Sequence, residues 1–280
     1  MEMFDSPKKA GQTCTAAGEP SQWPLHIYTL GRFSLVLDGV SLRSTGKSPG
    51  KPLLLLKALL ALGGRQVSTR RLAAMLWPEQ EGDRARQSFD TTLHRLRRHI
   101  QDDGFLLVED GHLSLDNQRV WVDVWEFERR MSSLRSALRI QSTQQSEKII
   151  ASCGTRLLHL YQGHFLQRDE PECWMISQQE RLRSKYIHTL LQLGRYLERA
   201  GQHEQAVECY LKGIDVDNLI ESFYQRLIIC YTSMGRDSDA IAAYRQCRHL
   251  LSVVLGLQPT AETYRLYQQI LANQQRLIAV

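Results

Sequence analysis

The absences in this sequence narrow its chemistry before any motif is considered. Six cysteines are spread over 280 residues with no CxxC pair, and none is grouped with histidines at metal-ligand spacing. A structural zinc site and a disulfide framework are therefore not expected, and buried free thiols in a reducing compartment are. The apolar run Leu53 to Leu62 is too short to span a bilayer and carries Lys57, so no membrane partner is expected. Lys8 and Lys9 are followed by polar and small residues rather than an apolar stretch, which argues against a signal peptide and for the cytoplasm. The nine histidines form no HExxH or HxxxH spacing, and no GxSxG elbow is present. TGKSPGK (Thr45 to Lys51) has Ser41 where a phosphate loop needs glycine, and Pro49 interrupts the helix that would receive the phosphates. No catalytic residue, metal ligand or cofactor is expected.

Proline and glycine are also sparse, 8 and 18 residues, so the composition is that of a helix-rich globular chain with room for two domains. A formal net charge of +5 is too mild to imply a nucleic-acid partner, but the charge is unevenly placed. Arg43 to Arg98 holds twelve Lys and Arg against four Asp and Glu, and Gln101 to Arg130 holds three against eight. A basic subregion is followed by an acidic one, and such a local field governs association more than the total does.

Residues 1–22 show almost no periodic hydrophobicity and are expected to form an unstructured arm or linker. From Leu25 the alternation in LHIYTLGRFSLVLDG predicts two short strands and a turn. KPLLLLKALLALGG predicts a helix with proline in its first turn and a glycine pair at its end. Ser68 is placed to cap STRRLAAMLWP, and Asp83 to cap the long helix after it, with Asp103-Gly104 as that helix's stop. FLLVEDGHLSLD reads as a tight hairpin turning at Asp110-Gly111. Asp123 and Glu126 stand at capping-box spacing and should begin a further helix, and Gln141 to Ser146 reads as a loop.

The C-terminal half repeats itself. Leu193 and Leu227, Leu197 and Tyr231, Gly201 and Gly235, Ala206 and Ala240, and Tyr210 and Tyr244 are each 34 residues apart, the tetratricopeptide period. Two repeats need flanking helices to bury their faces, and amphipathic segments at Leu157–Tyr161, Trp174–Leu197 and Tyr264–Leu277 are available. The resulting concave surface suits a protein partner or a second copy, or it only braces its neighbour.

In the long helix, Ala85, Phe89, Leu93, Leu96 and Ile100 share one face at about 100° per residue. The opposite face carries Arg84, Gln87, Thr91, His94, Arg95 and Arg98, with Arg97 on the flank, where it should reach a phosphate or a neighbouring acid. Such a face is either simply solvated or suited to a major groove, because arginine can hold guanine bidentately and glutamine can pair with adenine. The two short helices before it and the hairpin after it make a winged helix-turn-helix layout, which favours DNA. Lys51 and Arg70 would then hold the DNA backbone.

TLHRLRRHI resembles the recognition helix of OmpR-type winged-helix domains, with Leu96, Arg97 and Arg98 as its leucine-arginine-basic triplet. LGRFSLVLDG, LAAMLWPE, the recognition helix and VDVWEFE occur in the order seen in SARP-type regulators. YQGHFL (Tyr161 to Leu166), Trp174, Arg181, the repeat pair and LGLQPTAETYRLYQQI (Leu255 to Ile270) resemble their bacterial transcriptional activator domain. The resemblance implies a mainly α fold with small β elements: a winged helix-turn-helix domain over residues 23–122, then a tetratricopeptide-like α-solenoid over 123–280. It also implies an activator that binds double-stranded promoter DNA and recruits RNA polymerase. Glu79, Glu81 and Asp83 occupy the loop that OmpR-type activators can present to polymerase, although a solvated loop is an equal reading. His112 follows the wing glycine where the family often has an aromatic, and Glu109 and Asp110 oppose a close approach to phosphate there. The alternative is a protein-interaction adaptor or ligand-sensing module built on the repeats.

Overall fold

A computed structural model describes residues 23–42, 50–139 and 143–278. The arm expected at residues 1–22, most of Thr45–Lys51 and the first two residues of the tract Gln141–Ser146 lie outside them. The described chain is mainly helical with two small sheets and ends in an α-solenoid.

The first sheet is built from β1 (Leu25–Tyr28), β2 (Ser34–Leu37), β3 (Val40–Ser41) and β7 (Val120–Val122), in the order β3-β2-β1-β7. Alternation decides its facing: Leu25 and Ile27 are fully buried, whereas His26 and Tyr28 turn outward against the Trp121 ring, each at a centroid distance of 5.4 Å. β7 pairs with β1 in parallel and so leads directly into the second half of the chain.

α1 (Gly50–Ala61) carries Pro52 in its first turn and stops before Gly63 and Gly64, both at positive φ. β4 (Val67–Ser68) precedes α2 (Thr69–Leu76), whose cap is Ser68, accepting from the Arg71 N–H at 3.4 Å. α3 (Gly82–Ile100) is the long amphipathic helix. Its start differs from the expectation, since Asp83 lies inside the first turn, where its charge favours the positive end of the helix dipole, and it does not cap. Its end also comes earlier. Gln101 takes the left-handed conformation at φ 64°, and Asp103–Phe105 form a separate 3-10 turn with Asp102 accepting from the Gly104 N–H at 2.6 Å. β5 (Leu106–Glu109) and β6 (His112–Leu115) form the hairpin, with Asp110 and Gly111 at φ 47° and 72° as a tight two-residue turn requires. β4 joins them in a second sheet of order β4-β6-β5.

α4 (Asp123–Arg139) begins at the predicted residue but not by the predicted means. The Asp123 carboxylate does not close a capping box with Glu126, which instead pairs with Arg129 and Arg130. It reaches back across the sheet and accepts from the Thr29 N–H at 2.6 Å, the Thr29 hydroxyl at 2.7 Å and the Leu30 N–H at 2.8 Å, besides the Val124 N–H at 2.7 Å. Burial pushes this carboxyl up from its ordinary range, and the four donors oppose that shift.

α5 (Gln144–Leu160) corrects the loop expected at Gln141–Ser146: Thr143 and Ser146 form a capping box, so Gln144 to Ser146 are the first helical turn. α6 (Cys173–Arg199), α7 (His203–Val216), α8 (Glu221–Ser233) and α9 (Asp237–Leu250) are the two repeat pairs, turning at Gly201 and Gly235 with φ near +70°. A π-helical turn, Leu251–Leu255, then leads to α10 (Ala261–Ile278). Ala206, Tyr210, Ala240 and Tyr244 are buried, as the repeat requires. A Cβ at Gly194 would come within 2.4 Å of the Tyr210 ring, and one at Gly213 within 2.2 Å of Phe223, so these glycines admit aromatic rings from the next helix.

A continuous core runs from β1 through α1 to α3 and into the repeats. The segment Tyr161–Leu166 clamps the end of β1. Leu30 bridges Phe165 antiparallel, the Gly31 N–H donates to the His164 carbonyl at 2.9 Å, and the Leu166 N–H donates to the Thr29 carbonyl at 2.8 Å. Gly31 has φ 94°, and a Cβ there would lie 2.9 Å from the Gln162 backbone. The salt bridge between Lys57 and Asp169 fastens α1 close to this clamp, and the bond from Trp125 Nε1 to the Gly63 carbonyl, 3.0 Å, ties the turn after α1 to α4. Asp123→Asn turns an NH2 toward the Thr29 and Leu30 N–H groups in one orientation and toward the Val124 N–H in the other. It is expected to lower the free energy of urea unfolding by about 1–3 kcal/mol, whereas Glu126→Gln changes it far less.

Candidate nucleic-acid interface

α3 has two faces with different environments. Ala85, Phe89, Leu93, Leu96 and Ile100 are buried as the periodicity predicts, joined by Thr92. Arg84, Gln87, Thr91, His94, Arg95 and Arg98 are all exposed. None of those three arginines has a carboxylate partner among the described residues, so their charge is open to solvent and to any anion that approaches.

Arg97 is placed differently from the expectation. Its Nη2 donates to the Leu106 carbonyl at 2.8 Å, tying α3 to the first strand of the hairpin, and its Nε is buried. It meets a backbone carbonyl rather than a neighbouring acid. Lys51 is also committed: its Nζ donates to the Leu76 carbonyl at 3.0 Å, closing the C-terminal end of α2, and lies 5.8 Å from the centre of the Trp77 ring. Arg70 is exposed on the first turn of α2.

The hairpin tip is held beside that same turn. Thr69 donates both its N–H and its hydroxyl to the Gly111 carbonyl at 2.9 Å, and Ser68 pairs with His112 across β4 and β6. The start of α2, with Arg70, therefore sits next to the hairpin tip, with His112. His112 Nδ1 lies 2.9 Å from the Asp110 carbonyl oxygen, which holds the ring over its own turn. Glu109 and Asp110 are exposed at the tip. Two further exposed cations, Arg71 and Arg86, were within reach of sequence reasoning, since both belong to the basic stretch from Arg43 to Arg98. Arg86 lies on the flank of α3, outside the face opposite the apolar stripe, and Arg71 lies on α2.

Between α2 and α3 the chain makes a compact turn, with the Gln80 N–H donating to the Trp77 carbonyl at 3.0 Å and Ser88 Oγ to Gln80 Oε1 at 2.7 Å. Glu79, Glu81 and Asp83 project from it exposed, without an ion pair among the described residues. Among the described residues no helix is long and apolar enough to cross a membrane, and no group of three or more metal-binding side chains occurs.

Residues 122–271 match the family model of the bacterial transcriptional activator domain. The regulatory protein AfsR of Streptomyces griseus is 27% identical over 242 residues, covering 85% of this chain and 24% of that protein. AfsR of Streptomyces coelicolor is 27% identical over 259 residues, covering 91% and 25%. The chain thus spans about a quarter of the length of the curated relatives it matches. Among solved structures, that of Mycobacterium tuberculosis EmbR in complex with low affinity phosphopeptide superposes with a TM-score of 0.65 at 20% identity, over 89% of this chain and 65% of that one. The likeness to EmbR is one of fold.

The difference between a bracing and a free arginine is measurable. Arg97→Ala removes the bond to Leu106 and is expected to cost about 1 kcal/mol of unfolding free energy. Arg95→Ala and Arg98→Ala should each stay within about 0.5 kcal/mol of the parent in the same urea titration.

Proposed function

This chain belongs to the bacterial transcriptional activator domain family, and we propose that it activates transcription by binding specific promoter DNA and recruiting RNA polymerase. In this reading residues 23–122 are an OmpR-like winged helix-turn-helix domain and residues 123–280 the tetratricopeptide-like activator domain. The observation that carries it is the outer face of α3, where Arg84, Arg95 and Arg98 stand exposed without acid partners among the described residues, opposite a buried stripe. An α-helix fits the major groove, and a guanidinium there can fork onto guanine or clamp phosphate.

Roles follow from placement. Thr91, His94, Arg95 and Arg98 read base edges, with Arg84 and Gln87 one to two turns nearer the helix start. Arg70 and His112, brought together by the Thr69–Gly111 bonds, flank the helix at the backbone, where Glu109 and Asp110 weaken any hold of the hairpin tip on phosphate. Lys51 and Arg97 each give one donor to a main-chain carbonyl, which fixes where the cation stands and leaves further N–H groups for a phosphate at the edge of the helix. The acidic turn with Glu79, Glu81 and Asp83 is offered to polymerase from beside the bound helix. The AfsR relatives, both regulatory proteins by name, support a regulatory role.

Two experiments test this reading. In titrations of promoter fragments across salt concentrations, the Arg95→Ala, Arg98→Ala double variant is expected to bind about tenfold or more weakly. Removing a side chain that neutralises a phosphate should flatten the salt slope by about 0.9, and removing one that reads a base should relax preference at a single position. Parental affinity in that variant, with a protein partner still retained by the repeats, would point to an adaptor instead. In reconstituted transcription, replacing Glu79, Glu81 and Asp83 with alanine should reduce activation while DNA affinity stays unchanged; activation at the parental level would remove polymerase binding from this turn.

A further inference from the structure

The exposed side of α4 carries a second concentration of cations, separate from α3. Between α4 and α6 lies a cleft of about 340 Å³, within the lower range of small-ligand sites. Its floor includes the buried Met131, and its walls carry Ser132, Arg135, Ser136 and Arg139 from α4 and Lys185 from α6. The cleft's acid, Glu128, is already engaged, by Lys185 Nζ at 3.0 Å and by Arg181 Nη1 at 2.8 Å. Arg135 and Arg139 meet no carboxylate among the described residues, although Arg135 is half-buried.

Positions 132, 135, 136 and 139 form one helical stripe, so two hydroxyls and two guanidinium groups face the same space. Two like charges one helical turn apart repel. An anion in the cleft relieves that repulsion. Forked guanidinium donors beside serine hydroxyls are the donor set of a phosphate site, and the cleft is of a size that suits a small molecule.

We propose that the cleft between α4 and α6 binds a small organic phosphate, such as a nucleotide, through Arg135, Arg139, Ser132, Ser136 and Lys185. The test is calorimetric titration of the full chain with inorganic pyrophosphate and with ATP at constant ionic strength. Saturable binding is expected, weakened about tenfold or more by the Arg135→Ala, Arg139→Ala double variant. Ser136→Glu, an exposed position that should leave the fold intact, is expected to abolish it by placing a carboxylate in the cleft. The Arg95→Ala, Arg98→Ala variant should bind both probes as the parent does. Failure of both probes to bind, or equal binding by parent and both cleft variants, would overturn the proposal. So would loss of promoter DNA affinity, with pyrophosphate binding unchanged, in the Arg135→Ala, Arg139→Ala variant, since the cleft would then be a DNA-binding surface.

Discussion

The carboxylate of Asp123 joins the two halves of the chain. It meets two main-chain N–H groups at the end of β1 that would otherwise be buried without acceptors, and it does so from the first residue of α4. Main-chain donors inside a protein need partners, so the end of the sheet and the start of the helix constrain each other. The parallel pairing of β7 with β1 delivers Asp123 to that place, and the Tyr161–Leu166 clamp closes the other side of the same strand end. α1 to α3 are in turn fixed to the sheet by the continuous core, so the outer face of α3 has a defined direction relative to the repeats.

That defined direction gives the exposed arginines their meaning. A helix whose five apolar stripe residues are buried cannot rotate, so its opposite side chains keep one orientation toward whatever approaches. The bond from Arg97 to Leu106 and those from Thr69 to Gly111 extend this to the hairpin, making α2, α3 and the hairpin tip one surface. Charge on such a surface costs little when solvated and is preorganised when a polyanion arrives.

Features with local causes were legible in the sequence. The buried stripe of α3, the Asp110-Gly111 turn, the Ser68 cap and the 34-residue repeat each depend on neighbours within a few residues or on a strict period, and each is found where the pattern placed it. Failures came where a side chain answers a distant group. The spacing of Asp123 and Glu126 fits a local cap, but Asp123 serves Thr29, 94 residues away, which no window on the sequence can see. The bonds from Lys51 and Arg97 to the carbonyls of Leu76 and Leu106 could not be read either, because only the fold brings those groups together. Boundaries failed for a smaller reason. Gln101 adopts the left-handed conformation usually left to glycine, and Thr143 caps a helix in a tract whose polar composition reads as loop.

The clamp on β1 has a bearing on how such chains can diverge. Its hydrogen bonds run between main-chain groups of Thr29 to Gly31 and His164 to Leu166, so they depend little on which side chains those residues carry. Positions 31 and 163 are exceptions, because at each a positive φ and a close neighbour, the Gln162 main chain at 31 and the Gly31 Cα at 163, leave little space for a Cβ. Two members of this fold could thus differ at most residues of the junction, keep the same angle between the outer face of α3 and the repeats, and share little there beyond two glycines.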